Sequence, residues 1–114
     1  MQIKFFDFSP EISEIENQIL DATKRVISSG RYILGNEVIA FEEEFAKTCA
    51  CKHAIGVASG TDALFLALKA FGVGPGDEVI TVANTFAATA LAIMYTGATP
   101  VFVDIEPQSY LINT

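Results

Sequence analysis

The sequence predicts an α/β fold with parallel strands joined by crossover helices. Three observations predict it. Short apolar runs at Ala54–Ala58, Glu78–Ala83 and Pro100–Asp104 have the length of buried strands. Apolar segments of helical length, Ala63–Phe71 and Asn84–Tyr95, fall between them. Strand and helix alternate in order, and such alternation builds a parallel sheet with right-handed crossovers. Two further helical segments precede the alternation, and the whole length of 114 residues allows one small domain.

The elements follow from local signals. Gln2–Phe8 alternates weakly and reads as an extended arm. Ser9-Pro10-Glu11 is a helix start, with Ser9 at the N-cap, proline at the first helical position and an acid in the first turn. Ile12, Ile15, Ile19, Ala22 and Val26 recur at spacings of three and four, the signature of an amphipathic helix. Gly30 is its stop. Arg31–Gly35 is a loop, and Asn36 is the next N-cap. Val38, Phe41 and Phe45 then make an apolar stripe, with Glu42, Glu43 and Glu44 turned mostly to solvent. Ser59-Gly60-Thr61-Asp62 forms a polar turn. The helix after it is apolar almost all round, with Lys69 its only charge, and such a helix is expected to be buried. Gly72–Asp77 is a helix stop and turn, in which Asp77 caps the turn and Glu78 opens the second strand. Asn84-Thr85-Phe86 starts a helix that Gly97 ends. Asp104 closes the third strand, and the polar residues and Pro107 of the tail read as a loop.

Composition excludes several classes of partner. Asp and Glu number 14 against 7 Lys and Arg, so no basic surface for nucleic acid or an anionic membrane is expected. Met1–Phe8 is too short and mixed for a signal peptide, and the apolar run Phe86–Tyr95 is too short to span a bilayer. The cytoplasm is the expected location. Cys49, Cys51 and His53 are spaced like metal ligands, but a structural zinc site needs about four ligands and no second cluster exists. A disulfide between the two cysteines would be strained. They read as reduced, inert thiols, and His53 as a structural residue opening the first strand.

One stretch carries chemistry. A strand leading through Ser59-Gly60-Thr61 into a helix aims unpaired backbone N–H groups at whatever lies above the strand end. Gly60 allows close approach, and Thr61 adds a hydroxyl. Two readings stand side by side here: an anion site suited to phosphate, and an ordinary N-cap made by Ser59 or Thr61. The later cluster Gly72-Val73-Gly74-Pro75-Gly76 matches neither the P-loop nor G-x-G-x-x-G, and it follows a helix where a phosphate cradle should follow a strand. Ligands of open parallel sheets bind beyond the carboxyl ends of the strands. If the first two strands are neighbours, Thr61 and Phe86 line one crevice, as a phosphorylated planar heterocycle requires. Taken alone, Phe86 reads more readily as a core aromatic.

Gly30-Arg31-Tyr32-Ile33-Leu34-Gly35 with Val38 and Phe41-Glu42, Ala58-Ser59-Gly60-Thr61-Asp62-Ala63-Leu64, Gly76-Asp77-Glu78-Val79-Ile80, Thr85-Phe86 and Gly97-Ala98-Thr99-Pro100-Val101 together resemble the DegT/DnrJ/EryC1/StrS family of sugar aminotransferases. The resemblance runs in order along nearly the whole chain. It implies the large domain of a fold-type I aminotransferase, the cofactor pyridoxal 5′-phosphate, a nucleotide-linked keto sugar as substrate, an amino donor such as glutamate, and a homo-oligomer.

The resemblance also implies roles. Gly60 and Thr61 match the segment that holds the cofactor phosphate, Phe86 matches the aromatic that stacks on the pyridine ring, and Tyr32 lies in a loop near the substrate. Family members are several-fold longer. Their Schiff-base lysine, the aspartate paired with the pyridine nitrogen and the small C-terminal domain correspond to positions beyond Thr114. None of Lys4, Lys24, Lys47, Lys52 and Lys69 matches the catalytic lysine. Residues 1–114 are therefore expected to be an N-terminal piece of the large domain, inactive alone. A sugar-nucleotide dehydratase of the same family and a non-catalytic phosphate-binding or interaction module are the alternatives.

Overall fold

A computed structural model describes residues 4–113. The chain divides into two compact units, Met1–Gly56 and Val57–Thr114.

The first unit carries α1, Ser9–Ser29, and α2, Asn36–Thr48. Helix α1 starts one residue differently from expectation: Phe8 is the N-cap, and Ser9 is already helical, tied to Asp7 by its hydroxyl and its N–H. Its end is as expected, at Gly30 with a left-handed φ of 66°. Gly35 takes the N-cap place expected of Asn36. Helix α2 ends with the N–H of Cys51 on the carbonyl of Ala46 and the N–H of Ala50 on that of Lys47. Alanine thus occupies the left-handed position that glycine usually fills, with φ 51° at Ala50.

The expected first strand does not form. Ala54–Ala58 has no strand pairing, and Ile55 is 81% exposed. The physical reason is that a strand exists only through a hydrogen-bonded neighbour, and no described residue supplies one here. The N–H of Gly56 goes instead to Oε1 of Glu42, at 2.7 Å. His53 therefore opens no strand. The expected sheet of three strands is a parallel pair.

The second unit contains α3, Gly60–Ala70; β1, Glu78–Val82; α4, Ala87–Thr96; and β2, Thr99–Val103. Strands β1 and β2 pair in parallel, Glu78 against Thr99 through Val82 against Val103, with α4 as the crossover between them. Helix α4 is central. Its Ala92 and Ile93 are almost fully buried, together with Thr96, Ala98 and Thr81. Helix α3 packs beside it, with Phe65 edge-on to Tyr95. The expected burial of α3 is not met: none of its residues is buried, and Leu64 and Leu66 stay half exposed, because among the described residues α4 is the main element packed against it. Gly97 ends α4 with φ 91°. The turn before β1 closes as the sequence implied, Asp77 accepting the Gly74 N–H at 2.8 Å. Strand β2 stops at Val103, before Asp104, and the tail is more ordered than a loop: Ile105 and Ile112 form an antiparallel bridge.

Candidate functional site

Gly60 and Thr61 do not form a turn ahead of the helix; they are its first turn. Ser59 is the N-cap, its Oγ accepting the Asp62 N–H at 3.1 Å. The same hydroxyl contacts Oδ2 of Asp62 at 3.1 Å, and the Ala63 N–H bonds the Ser59 carbonyl. The ordinary N-cap is therefore real, and it belongs to Ser59. Capping consumes only the donors of Asp62 and Ala63. The N–H groups of Gly60 and Thr61 keep no helical partner, and the Thr61 hydroxyl makes no hydrogen bond among the described residues. A Cβ built on Gly60 would meet nothing within 4 Å, so the space beside this residue is open.

Phe86 is the N-cap of α4 and is 82% exposed, so it is no core residue among the described residues. Thr85 and Thr89 exchange a hydroxyl hydrogen bond of 2.8 Å beside it. Where α3 and α4 meet is set at their far ends: Nζ of Lys69, late in α3, reaches the carbonyl of Thr96, the last residue of α4, at 3.5 Å. Near the other end, Leu64, Thr89 and Ile93 border one cleft with Val79, Ile80 and Thr81 of β1. Both helices thus aim their N-terminal ends the same way, toward the carboxyl end of β1. Two open helix N–H groups, a half-buried threonine hydroxyl and an exposed aromatic lie at that end.

Tyr32 belongs to the first unit and is described by itself. Its hydroxyl donates to the Ile27 carbonyl at 3.3 Å, and the residue is 68% exposed. It lines a hollow with Arg25, Ser29, Arg31, Asn36 and Glu37. No metal-binding group exists among the described residues, and Cys49 and Cys51 are free and exposed.

A model of the DegT/DnrJ/EryC1/StrS aminotransferase family matches residues 13–114. The chain belongs to that family. A dTDP-3-amino-3,4,6-trideoxy-alpha-D-glucose transaminase of Streptomyces venezuelae is 48% identical over 106 residues, 93% of this chain and 27% of that protein. The crystal structure of DesV from S. venezuelae, in complex with a ketimine intermediate, superimposes with a TM-score of 0.94 at 45% identity, over 98% of this chain and 30% of DesV. The structure of NtdA from Bacillus subtilis with bound cofactor PMP gives a TM-score of 0.82 at 32% identity, over 99% of this chain and 27% of that one. The chain therefore spans under a third of the length of these relatives.

Sequence reasoning missed Asp62, although Ser59-x-x-Asp62 has the spacing of a capping pair. It also missed the hollow at Arg25 and Arg31. Its residues come from two helices and the loop between them, and no single stretch signals their convergence.

Proposed function

We propose that the chain supplies the phosphate- and ring-binding part of a pyridoxal-phosphate-dependent aminotransferase that acts on a nucleotide-linked keto sugar. The observation that carries this is the pairing of open donors at the N-terminus of α3 with the exposed Phe86 at the N-terminus of α4.

The residues present fit the cofactor's phosphate and ring. Gly60 and Thr61 offer two backbone N–H groups, and the Thr61 hydroxyl offers a third donor. The helix end adds a positive potential equivalent to roughly half a charge. Asp62 opposes this potential, but its carboxylate is occupied by Ser59, whose hydroxyl it meets at 3.1 Å. Phe86 presents a face on which a heterocycle can stack. When bound, the cofactor supplies an electron sink for moving an amino group. The residues described here bind and orient it.

Amino transfer also requires an amine to carry the aldehyde and shuttle a proton. No lysine of the chain stands at a position that the family resemblance assigns to this task, so these residues alone are proposed to be inactive. The assembled enzyme is proposed to be a homo-oligomer that works in the cytoplasm, with glutamate as amino donor. Among the described residues no helix is long and apolar enough to cross a membrane.

The test is a titration of the chain with pyridoxal 5′-phosphate, followed by ring absorbance and phosphorus NMR. Thr61→Ala removes a charge-assisted hydrogen bond of about 1.5–3 kcal/mol and should weaken binding about tenfold or more. Phe86→Ala should remove about 0.5–1.5 kcal/mol of stacking beyond lost contact area. Binding that ignores both substitutions would refute the pocket. One stoichiometric lysine adduct after borohydride reduction, accompanied by turnover, would refute the proposed inactivity.

A further inference from the structure

Helix α4 begins without the usual kind of cap. Its N-cap is Phe86, with φ −65° and ψ 143°, and no side chain caps the helix there. Capping needs a short side chain with an oxygen, such as Ser59 supplies to α3. Phenylalanine has none. Phe86 is also exposed, so little packing holds its ring. A ring that is to meet a ligand at a set angle must then be held through its backbone.

Thr85 precedes Phe86, and Thr89 follows in the first turn of the helix. Their hydroxyls meet at 2.8 Å. This bond departs from the habit of other helical threonines in the chain. The hydroxyls of Thr23 and Thr48 donate to the carbonyl four residues back, and that of Thr96 to the carbonyl three back. Thr89 also reaches four residues back, but to a hydroxyl, on a residue that lies outside the helix. The backbone adds two ties. The Thr89 N–H donates to the Phe86 carbonyl at 3.0 Å, and the Thr85 N–H to the carbonyl of Val82, the last residue of β1, at 3.4 Å. The hydroxyl bond thus spans Phe86, from the turn that leaves β1 to the first turn of α4. Thr89 is itself half-buried and borders the cleft with Leu64, Val79 and Ile93.

We propose that Thr85 and Thr89 are positioning residues: their hydroxyl bond takes the place of an N-cap side chain and sets the direction from which Phe86 presents its ring. The proposal rests on the stacking role proposed above for Phe86. Capping and stacking make opposite demands on one position, since a serine or aspartate has no ring and a phenylalanine no oxygen. Closing the turn with the flanking hydroxyls meets both demands.

The test compares Thr89→Val, Thr85→Val and Thr89→Ser in the 114-residue chain. Valine keeps the shape and loses the hydroxyl, whereas serine keeps the hydroxyl. Without ligand, the backbone dipolar couplings and aromatic NMR signals of Phe86 should change in both valine variants and return in Thr89→Ser. Amide exchange along residues 91–96 should stay as it was. Both valine variants should bind pyridoxal 5′-phosphate about two- to tenfold more weakly, the range that one stacked aromatic pair carries. Inorganic phosphate, read at the amides of residues 60 and 61, should bind as before. In a Phe86→Ala background, Thr89→Val should weaken pyridoxal phosphate binding no further. Unchanged Phe86 couplings in the valine variants, no recovery in Thr89→Ser, an equal loss of inorganic phosphate binding, or faster exchange along residues 91–96 would each overturn the proposal. If the unsubstituted chain binds no pyridoxal phosphate, the cofactor reading fails, and the Phe86 couplings decide by themselves whether the two hydroxyls position it.

Discussion

Replacing Gly97 by alanine tests how the second unit is held together. Gly97 ends α4 with φ 91°, a region where a side chain costs about 1–2 kcal/mol. A Cβ there would also lie 2.8 Å from Cγ and 3.1 Å from Cδ of Pro75. The Pro75 ring cannot swing aside as a flexible chain would, since its turn is closed by the Asp77 N–H on the Gly74 carbonyl at 3.1 Å and by the Gly74 N–H on Asp77 Oδ2 at 2.8 Å. Overpacking of this kind adds about 1–3 kcal/mol. Alanine recovers about 0.4–1 kcal/mol by stiffening the unfolded chain. The expected loss is therefore about 1–5 kcal/mol. Gly76 supplies the control: its φ of 94° is nearly the same, and a Cβ there would meet nothing within 4 Å. Gly76→Ala should show the backbone strain alone. Urea unfolding followed by circular dichroism measures both. In the double variant with Pro75→Ala, the excess loss at Gly97 should largely disappear, as a coupling energy between two touching sites. If Gly97→Ala costs no more than Gly76→Ala, the contact between the α4 end and the Pro75 turn is not a tight one, and the reasoning fails.

Other perturbations probe the first unit. Ala50→Gly should stabilise α2 by roughly 0.5–1 kcal/mol, because glycine relieves the φ of 51° at the helix end; an unchanged or lowered urea midpoint would count against it. Glu42→Ala should raise hydrogen exchange at the Gly56 amide, which now donates to Glu42 at 2.7 Å, and leave the Cys51 amide protected. Unchanged exchange at Gly56 would show that the segment is held by other means. Hydrogen bonding to the Ser9 hydroxyl, then the Lys4 contact and the Ser9 N–H, holds the Asp7 carboxyl below the usual carboxylate range. A carboxyl depressed in the folded state stabilises above its unfolded value, near 3.9, and the effect is lost as pH falls through the lower folded value. The start of α1 should therefore loosen below about pH 4, and Ser9→Ala should move the Asp7 titration upward in a carboxyl NMR experiment.

What the sequence disclosed was what neighbouring residues decide. Gly30 and Gly97 end helices because the chain needs a left-handed residue there, and a single glycine announces it. The turn at Gly74–Asp77 is likewise a contract among a few adjacent residues. Strands β1 and β2 were legible because their partner is present and the crossover between them is short. Ala54–Ala58 carries the same apolar pattern as those strands. It fails to become one because strand pairing is a long-range property that composition cannot guarantee. The apolar girdle of α3 misled in the same way: it records what the helix can bury, whereas burial depends on what packs against it. At the candidate site, Ser59 and Thr61 were both legible as the cap, and the structure gives that place to Ser59. The arginine hollow was hidden because Arg25 sits in α1 and Arg31 in the loop beyond it, and only the folded backbone brings them to one place.

The candidate cofactor site is arranged by residues at the opposite end of its helices. Thr96 is 3% exposed and works in three directions. Its hydroxyl donates to the Ile93 carbonyl at 2.7 Å and accepts the Ala98 N–H at 3.2 Å, which binds the end of α4 to the start of β2. Its carbonyl receives Nζ of Lys69 at 3.5 Å, which brings the end of α3 to the same point. With these ends fixed, two straight helices have little freedom in where their other ends lie. The Phe65–Tyr95 contact adds a second tie between the two helices, between that anchored end and the end that carries Thr61 and Phe86. Such a division leaves the candidate end open: Gly60, Thr61 and Phe86 make no side-chain hydrogen bonds among the described residues, while the hydrogen bonds of Thr96 are made at the opposite end of the helices.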